Sequence, residues 1–225
     1  MEKQRFTNNS LTIKKGLQTM TTPDFTSQLI ARRAPCSPTF LKSAVLRSVL
    51  VSSLFLACSS NVYADVKFAT ETGFSITNVS ESSAPIEAVY SHFVQHIDMW
   101  WPKDHTWWKG TLSIDERAGG CFCETKDNAS AQHMQVSYIE PNKKVVLTGG
   151  LGPLQEMGMF GALTWQFDEQ ENGEGTKVTL TYTASGHIHF NGKPASLDEA
   201  KGLVKVVDQV QAQQLNALTV FSDKN

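Results

Sequence analysis

Near its C-terminus the chain reads SLDEAKGLVKVVDQVQAQQLNALTVF, from Ser196 to Phe221. Ser196 with Glu199 three residues later forms a capping box, a pattern with which helices begin. Apolar residues then recur at helical spacing, which predicts a long amphipathic helix with one buried face. Such a helix is roughly 35 Å long, enough to cross a whole sheet. The predicted apolar stripe consists of Leu203, Val206, Val207, Val210, Ala217, Leu218 and Phe221.

Two glutamines, Gln211 and Gln214, lie near the centre of this stripe, where a simple core helix would have leucine. A buried amide needs hydrogen-bond partners. The two side chains therefore either face water or a ligand inside the protein, or lie at the edge of the stripe in solvent.

Six short strand candidates precede the helix, and turn-forming residues separate them, which is the pattern of an antiparallel meander. In the last two candidates apolar and polar side chains alternate, so that Trp165 and Tyr182 each lie on an apolar strand face. Alternation of this kind indicates a sheet that is covered on one side and wet on the other. The candidates are Thr111–Glu116, Cys121–Lys126, His133–Ile139, Lys143–Thr148, Ala162–Asp168 and Lys177–Thr183.

A further strand is predicted upstream, over Lys67–Val79, and two short helices follow it. Ser83-Ala84-Pro85 suits the start of the first helix, because serine caps helices and proline is tolerated in the first turn. Pro102 ends the second helix. Together these elements predict an α+β fold in which a curved antiparallel sheet of about seven strands wraps around the long C-terminal helix. Residues 65–225 form one domain in this interpretation.

Four of the five tryptophans fall within nine residues, and they are Trp100, Trp101, Trp107 and Trp108. Aromatic rings bury roughly 150–250 Å² each, far more than a short segment needs for its own folding. So many rings beside a curved sheet indicate a large apolar interior or its mouth. The alternative is that the rings simply fill the core.

The charge of the chain is unevenly distributed. Residues 1–64 contain eight basic and two acidic residues, whereas residues 65–225 contain 12 basic and 20 acidic residues. A basic, acid-poor leader on an acidic body is typical of a targeting segment, so residues 1–64 are interpreted as a disordered N-terminus and a cleaved signal peptide. The acidic body argues against a nucleic-acid partner, which would require a basic face.

The apolar run Ser48–Ala57 is too short to span a bilayer but has the length of a signal-peptide core. Val62-Tyr63-Ala64 suits a signal peptidase, which predicts an exported mature protein, periplasmic or secreted, that begins at Asp65 and has no transmembrane span. The runner-up is a membrane-anchored lipoprotein, because the residues that end at Cys58 resemble a lipoprotein box. An uncleaved apolar helix is the remaining alternative.

Cys121 and Cys123 are the only cysteines after residue 64. On a strand they share one face, and their expected Cα separation is near the outer limit for a disulfide. Two buried or half-buried thiols are therefore predicted, with a strained, reactive bridge as the alternative in an oxidising compartment. Neither this pair nor His187 and His189 forms a closed metal motif, so no metal is predicted.

Six segments are typical of one fold family, and they are Ala84–Tyr90, Trp100-Trp101, Gly119–Phe122, Glu140-Pro141, Gly161–Trp165 and Gly175–Thr179. With these segments and the order of its elements, the chain resembles the helix-grip fold of the START-like (SRPBCC) superfamily over residues 66–222. The chain is most similar to the branch that includes heat-shock-ATPase-activator-like and polyketide-cyclase-like proteins. The resemblance implies a deep cavity between the sheet and the final helix for lipids, sterols, polyketides or other apolar molecules. Some members of the superfamily are enzymes and many are carriers.

Two polar groups and one loop are candidates for reactive chemistry. Glu124 is in phase with Phe122, and a carboxylate in an apolar cavity would have a raised pKa. The alternative is that Glu124 lies at a strand end open to water. Asp104-His105 is either an oriented base at a pocket mouth or part of a surface loop. The glycine-rich segment 149–153 lacks a phosphate-binding lysine and is interpreted as a flexible lid.

The favoured function is an exported binding protein that holds a small apolar molecule between the sheet and the final helix, without catalysis. The alternative is a cyclase-, dehydratase- or hydrolase-type enzyme that uses a cavity carboxylate or histidine. A weaker third interpretation is a protein-interaction domain that uses its outer sheet face. No cofactor is expected, because the chain has neither a phosphate-cradling nor a closed metal motif. The predicted ligand-binding residues are Trp107, Trp108, Phe122, Glu124, Trp165, Tyr182, Val207 and Gln214.

Overall fold

The computed structural model describes residues 63–225 with the exception of residue 172, and side chains from Asp65 onward. The predicted signal-peptide core, the alternative lipidation site Cys58 and the predicted disordered N-terminus lie outside the described residues. Within residues 63–225, no helix is long and apolar enough to cross a membrane.

This part of the chain folds into strands, α-helices and one short 3-10 helix. The elements in chain order are β1 (Tyr63–Thr70), β2 (Gly73–Ser82), α1 (Ile86–Gln95), α2 (Ile97–Trp100), the 3-10 helix (Lys103–His105), β3 (Thr111–Ile114), β4 (Cys121–Lys126), β5 (Ala129–Glu140), β6 (Lys144–Gly149), α3 (Pro153–Glu156), β7 (Phe160–Glu169), β8 (Thr176–Ser185), β9 (His189–Phe190), β10 (Lys193–Pro194) and α4 (Leu197–Ser222).

Eight strands form one antiparallel sheet in the order β1-β2-β8-β7-β6-β5-β4-β3, and β9 pairs with β10 in a separate ribbon. Helix α4 packs on β2, β1 and β8 and also contacts α1 and α2. This arrangement of a sheet around a C-terminal helix is the helix-grip fold, so the predicted α+β architecture is confirmed. The two predicted short helices are α1 and α2.

The centre of the core lies where β6, β7 and β8 run side by side. Val145, Trp165 and Leu180 are neighbours in one row across these strands, and all three are buried. Leu147, Leu163 and Tyr182 form the next row and are buried as well. The predicted alternation in β7 and β8 therefore determines which of their faces α1 and α4 cover.

The predicted first strand is wrong in extent, because residues 63–82 form a hairpin. The chain turns at Glu71-Thr72, so β1 and β2 pair with each other and the sheet has eight strands instead of about seven. Gly73 allows a close approach after the turn, since a Cβ there would lie 2.7 Å from the carbonyl oxygen of Ala184. The sequence has no Asn-Gly or Asp-Gly pair at this point, and so the hairpin has only a weak local signal.

The capping box of α4 is confirmed, but the buried face of the helix differs from the predicted stripe. The Ser196 hydroxyl accepts from the Glu199 N–H, and the Glu199 carboxylate accepts from the Ser196 N–H at 2.8 Å. Val206 is 51% exposed, and several polar residues are buried in its place. The buried residues of α4 are Ala200, Val204, Gln211, Gln214, Leu215, Leu218, Thr219 and Ser222.

The polar inner face of β2 is the reason that the buried face of α4 differs from the predicted stripe. Asn78, Ser80 and Ser82 are all buried under α4. The Ser80 and Thr219 hydroxyls hydrogen-bond at 3.0 Å, and Asn78 Nδ2 donates to Asp208 Oδ1 at 3.1 Å. Buried polar groups require such partners. Helix α4 therefore turns its own polar residues toward β2.

Replacement of Asp223 by alanine is expected to lower the free energy of unfolding by about 1–2 kcal/mol, because β2 loses a shared hydrogen-bond acceptor. Asp223 Oδ1 accepts from the Ser82 hydroxyl and the Ser83 N–H, both at 2.7 Å, and ties the end of α4 to the end of β2. Urea unfolding followed by circular dichroism measures the loss. Lys224→Ala is the control, and an equal loss in this variant would argue against the anchoring role.

The prediction of two thiols in β4 is also wrong, because Cys121 and Cys123 form a disulfide. Their Cα atoms are 5.4 Å apart, well inside the range that a disulfide allows. The strand is compressed here beside a bulge: Phe122 pairs with Met134 and Cys123 with Gln132, which leaves His133 as an extra residue on β5. The sequence-based estimate assumed a regular extended strand, which β4 is not.

Candidate ligand-binding site

The layer between the sheet and the helices is filled by aromatic side chains. Trp165 from β7 lies against Phe93 of α1 and Trp100 of α2, with ring centroids 4.8 and 6.0 Å apart. Trp101 lies against Phe122 of β4 at 5.1 Å. All five rings are buried. Two of the four clustered tryptophans, Trp100 and Trp101, thus fill the core. For these two rings the alternative interpretation of the segment is the one that the structure supports.

The other half of the segment, Trp107 and Trp108, lies in the loop before β3. Trp107 is half-buried and Trp108 is 38% exposed. Their backbone N–H groups donate to the two carboxylate oxygens of Glu124 at 2.8 and 2.9 Å. The structure therefore brings Trp107, Trp108 and Glu124 together at one edge of the sheet.

Glu124 is completely buried and accepts four hydrogen bonds. Besides the two tryptophan N–H groups, the donors are the Gly110 N–H at 2.8 Å and His133 Nε2 at 3.1 Å. Burial raises the pKa of the Glu124 carboxyl, but the backbone hydrogen bonds and His133 outweigh it, and the net pKa is lowered. The predicted raised pKa is therefore wrong, because the strand points Glu124 at backbone donors rather than into an apolar cavity.

His133 reaches Glu124 only because of the bulge in β5. The extra residue places both His133 and Met134 on the inner face, whereas regular alternation would turn His133 outward. The His133 ring lies 5.0 Å from the Phe122 ring. Sequence analysis missed this residue, since a bulge leaves no periodic signal.

A polar seam runs between the sheet and the helices, from Asn78 under α4 to Trp165 under α1 and α2. Across adjacent strands, Asn78 of β2 pairs with Leu180 of β8, which pairs with Trp165 of β7. Neighbouring strands are about 4.8 Å apart, so Asn78 and Trp165 are roughly 10 Å apart at their backbones. Asn78 binds Asp208, and Gln211 and Gln214 follow on the same side of α4 at three-residue spacing. We define the seam by Asn78, Trp165, Gln211 and Gln214.

The seam is unusual because each of its four residues has one buried polar atom without a protein partner. Each of these four residues is at most 1% exposed. In the described part of the chain, five buried side-chain polar atoms make no hydrogen bond to another protein atom, and four of them belong to the seam. Leaving such an atom unpaired costs about 1–3 kcal/mol. The five atoms are Asn78 Oδ1, His105 Nδ1, Trp165 Nε1, Gln211 Oε1 and Gln214 Oε1.

The fifth atom belongs to His105, in the 3-10 helix beside Trp101. The Trp101 Nε1 donates to the backbone oxygen of His105 at 3.3 Å. Asp104 does not orient the ring as a base, because its carboxylate pairs with Lys109 at 2.7 Å on the surface. Burial lowers the pKa of His105, and Asp104 together with a hydrogen bond to Gln213 offsets this only in part.

The free energy of unfolding is expected to decrease as the pH falls below the ordinary histidine pKa of 6.5. Burial lowers the pKa of His92, His105 and His133 in the folded protein. The unfolded chain therefore binds protons at a higher pH than the folded protein, so the stability present above pH 6.5 is lost below it. Urea unfolding at pH 7.5 and 5.5 measures the effect, and His133→Gln should reduce it. Stability that rose on acidification would contradict this assignment.

The glycine-rich segment after β6 is packed against the end of the sheet. Leu151 N–H donates to the Tyr182 hydroxyl at 3.2 Å, and Gln155 Nε2 donates to the Gln132 carbonyl at 3.1 Å. Burial raises the pKa of Tyr182 to about 12, so its hydroxyl stays protonated. These hydrogen bonds connect the predicted lid to β8, and the helix α3 that follows it to β5. Whether the lid opens stays a prediction.

The predicted site residues fall into two groups. The first group lies inside the layer and consists of Trp165, Tyr182, Phe122 and Gln214. The second group forms the loop anchor at the edge of the layer and consists of Trp107, Trp108 and Glu124. Val207 belongs to neither group and is half-buried on α4. Sequence analysis missed Asn78, although its place in the apolar alternation of β2 was a usable signal. Among the described residues, His187 and His189 belong to no group of three possible metal ligands.

Two surface clefts lie outside this layer. One, of about 680 Å³, is lined by residues of β7, the β5–β6 turn and the start of α1, and the other, of about 520 Å³, lies beside Gly110. Neither is lined by α4. The candidate site is the layer between the sheet and the helices, because the four buried polar atoms without protein partners lie there.

Comparisons with known proteins found several similar solved structures. Similar solved structures include an uncharacterized protein from Rhizobium leguminosarum, with 18% identity over 73% of this chain and 99% of that chain and a TM-score of 0.48. CalU16 from Micromonospora echinospora has 17% identity over 72% of this chain and 83% of that chain, with a TM-score of 0.43. The di-domain ARO/CYC protein StfQ of the steffimycin biosynthetic pathway has 16% identity over 68% of this chain and 52% of that chain, with a TM-score of 0.49.

No curated protein sequence matches the chain. The model of the family described as Activator of Hsp90 ATPase homolog 1-like protein matches residues 83–220. The match spans more than half of the chain, and so the protein belongs to the Activator of Hsp90 ATPase homolog 1-like family within the START-like (SRPBCC) superfamily.

Proposed function

We propose that this protein binds a small, mostly apolar molecule with neutral hydroxyl groups, in the layer between the sheet and α4. The observation that carries the proposal is the polar seam, whose four buried atoms lack partners. A folded protein retains such unpaired groups at a cost in stability, which a ligand that pairs them removes on binding.

The chemistry of the seam favours a neutral hydroxyl-bearing ligand over an anionic one. Three of the four atoms are amide oxygens that accept hydrogen bonds, and the fourth is an indole N–H that donates one. Hydroxyl groups do both. Among the described residues no lysine or arginine is buried, so the layer offers no counter-charge to a carboxylate or phosphate. The surrounding aromatic rings suit the apolar body of the molecule.

Fluorescence titration with three matched probes tests the proposal: 2-naphthol, naphthalene and 2-naphthoate. We expect 2-naphthol to quench or shift tryptophan emission and to bind at least about tenfold more tightly than naphthalene, because only the hydroxyl pairs the seam. We expect 2-naphthoate to bind weakest. In Trp165→Phe, which removes one unpaired N–H, the preference for 2-naphthol should shrink.

Trp108→Phe is the matched control, because this exposed indole lies outside the seam. If it changed 2-naphthol binding as much as Trp165→Phe, the site would lie at the loop instead. If none of the probes bound below millimolar concentration, ordered water would be the partner of the seam and the proposal would fail.

A second candidate function, a cyclase- or dehydratase-type enzyme, is favoured by His105. Its Nδ1 is buried and unpaired, and its lowered pKa keeps the ring neutral and able to accept a proton. Glu124 is a weaker candidate, since its oxygens already accept four hydrogen bonds. Mass spectrometry of a poly-β-ketone probe should reveal loss of water if the protein is such an enzyme. Loss of this conversion in His105→Gln, with probe binding retained, would favour the enzyme over the carrier.

Export of the mature protein is part of the proposal, on the grounds of the basic leader and the apolar run Ser48–Ala57. The disulfide supports it, because disulfides persist in oxidising compartments. N-terminal sequencing of the periplasmic or secreted protein should show Asp65 as the first residue, or a modified Cys58 if the protein is a lipoprotein. A full-length chain in the cytoplasm would contradict both.

A further inference from the structure

We propose that the Cys121–Cys123 disulfide is a thiol–disulfide exchange site, which small-molecule thiols reduce and small-molecule disulfides reoxidise while the protein stays folded. The bridge joins two residues of one strand, β4, with a single residue between them. It lies on the opposite side of the sheet from the polar seam, so the inference does not depend on the proposed ligand.

The position of the bridge indicates that it contributes little as a structural cross-link. It closes a three-residue loop, and a disulfide restricts the unfolded chain less as the loop becomes shorter. It connects no two elements of the fold. Strand β4 is held on both sides by backbone pairing, with Cys123 opposite Ser113 of β3 and Cys121 opposite Gln135 of β5. Backbone pairing with β3 and β5 therefore holds β4 in the sheet when the bridge is open.

The bridge is also within reach of solvent. Phe122 and Glu124 point inward and are completely buried, so the alternating cysteines lie on the outer face of β4. Both cysteines are half-buried rather than buried. The side chains beside them on the neighbouring strands are polar and exposed, and they are Ser113, Gln132 and Gln135. In the described part of the chain, no helix covers this side of the bridge.

The exchange follows ordinary thiol chemistry. The thiolate of a small thiol such as glutathione attacks one cysteine sulfur, the S–S bond breaks, and its electron pair leaves with the other cysteine sulfur, which takes up a proton. A second thiol attacks the mixed disulfide and releases the first cysteine as a thiol. The two cysteines gain two electrons and two protons, and two small thiols become one small-molecule disulfide.

Thiol labelling of the folded full chain tests the proposal. Cys36→Ser and Cys58→Ser are introduced first, so that only Cys121 and Cys123 can take a thiol label. After incubation with millimolar reduced glutathione we expect two maleimide labels by mass spectrometry, an unchanged circular dichroism spectrum, and loss of both labels after oxidised glutathione is added. A matched variant that also contains Cys121→Ser and Cys123→Ser should take no label and should lose no more than about 5 °C in Tm.

Three results would overturn the proposal. The first is labelling that occurs only after urea is added, since the bridge would then be closed to thiols in the folded protein. The second is two labels before any glutathione is added, because the cysteines would then be free thiols. The third is a Cys121→Ser/Cys123→Ser variant that fails to fold, together with loss of the native spectrum on reduction, because the bridge would then be structural.

Discussion

The double variant Gln211→Leu/Gln214→Leu is expected to be more stable than the natural protein and to lose its ligand. Both amides are buried and both side-chain oxygens lack a partner. Leucine has a similar volume and removes the unpaired oxygens, so the free energy of unfolding should rise by about 1–3 kcal/mol for each site. The same oxygens are the acceptors for ligand hydroxyls in the proposed function, so 2-naphthol should bind at least about tenfold more weakly.

Urea unfolding and the fluorescence titration measure the two effects on the same samples. Gln209→Leu is the matched control, because Gln209 is on the same helix but exposed. It should change neither stability nor binding by much. A double variant that was destabilised would indicate that the two amides are already paired, by water, in the ligand-free protein. A stabilised variant that still bound 2-naphthol would indicate a site elsewhere.

The largest loss of stability is expected for Glu124→Ala, about 3–5 kcal/mol. The substitution leaves the N–H groups of Trp107, Trp108 and Gly110 without their acceptor, and it leaves His133 unpaired inside the protein. Removal of one partner from a buried pair has a cost of this size, because the remaining groups keep their desolvation penalty. The loop that carries Trp107 and Trp108 should then detach from β4.

Urea unfolding measures the loss, and the emission of Trp108 should shift toward that of a solvated indole. Glu81→Gln, at an exposed position of β2, is the control and should change the free energy of unfolding little. Because the pKa of Glu124 is lowered below 4.5, its contribution is present above that pH and is lost as the pH falls through the folded-state pKa. If Glu124→Ala were as stable as the control, the carboxylate would not be the anchor of the loop.

These two predictions distinguish two kinds of buried polar group in one small protein. Both carboxylate oxygens of Glu124 accept hydrogen bonds inside the protein, which is usual for a buried carboxylate. The seam residues Gln211 and Gln214 have unpaired oxygens, which is unusual. The first condition indicates a structural role and the second indicates a binding role. This contrast is the reason that we propose ligand binding for the seam and loop anchoring for Glu124.

Much of the fold could be predicted because its signals are local. These signals include the bounds of β4, the alternating faces of β7 and β8, and the capping box with which α4 begins. Each of them depends on residues that are only a few positions apart along the chain. Trp165 and Tyr182 follow from the same alternation, and so their burial was predictable. Periodicity and capping are properties of short segments, which a sequence displays directly.

The rest was decided by contacts between distant segments. Asn78 meets Asp208 across 130 residues, and this pairing turns the polar side of α4 inward and leaves Val206 exposed. The bulge that brings His133 to Glu124 depends on how β4 and β5 align, and this alignment also brings the two cysteines close enough to bond. The sequence by itself determined most of the strands and the long C-terminal helix. Only the tertiary structure decided which polar atoms have partners, because pairing depends on register and helix rotation, which no short segment encodes.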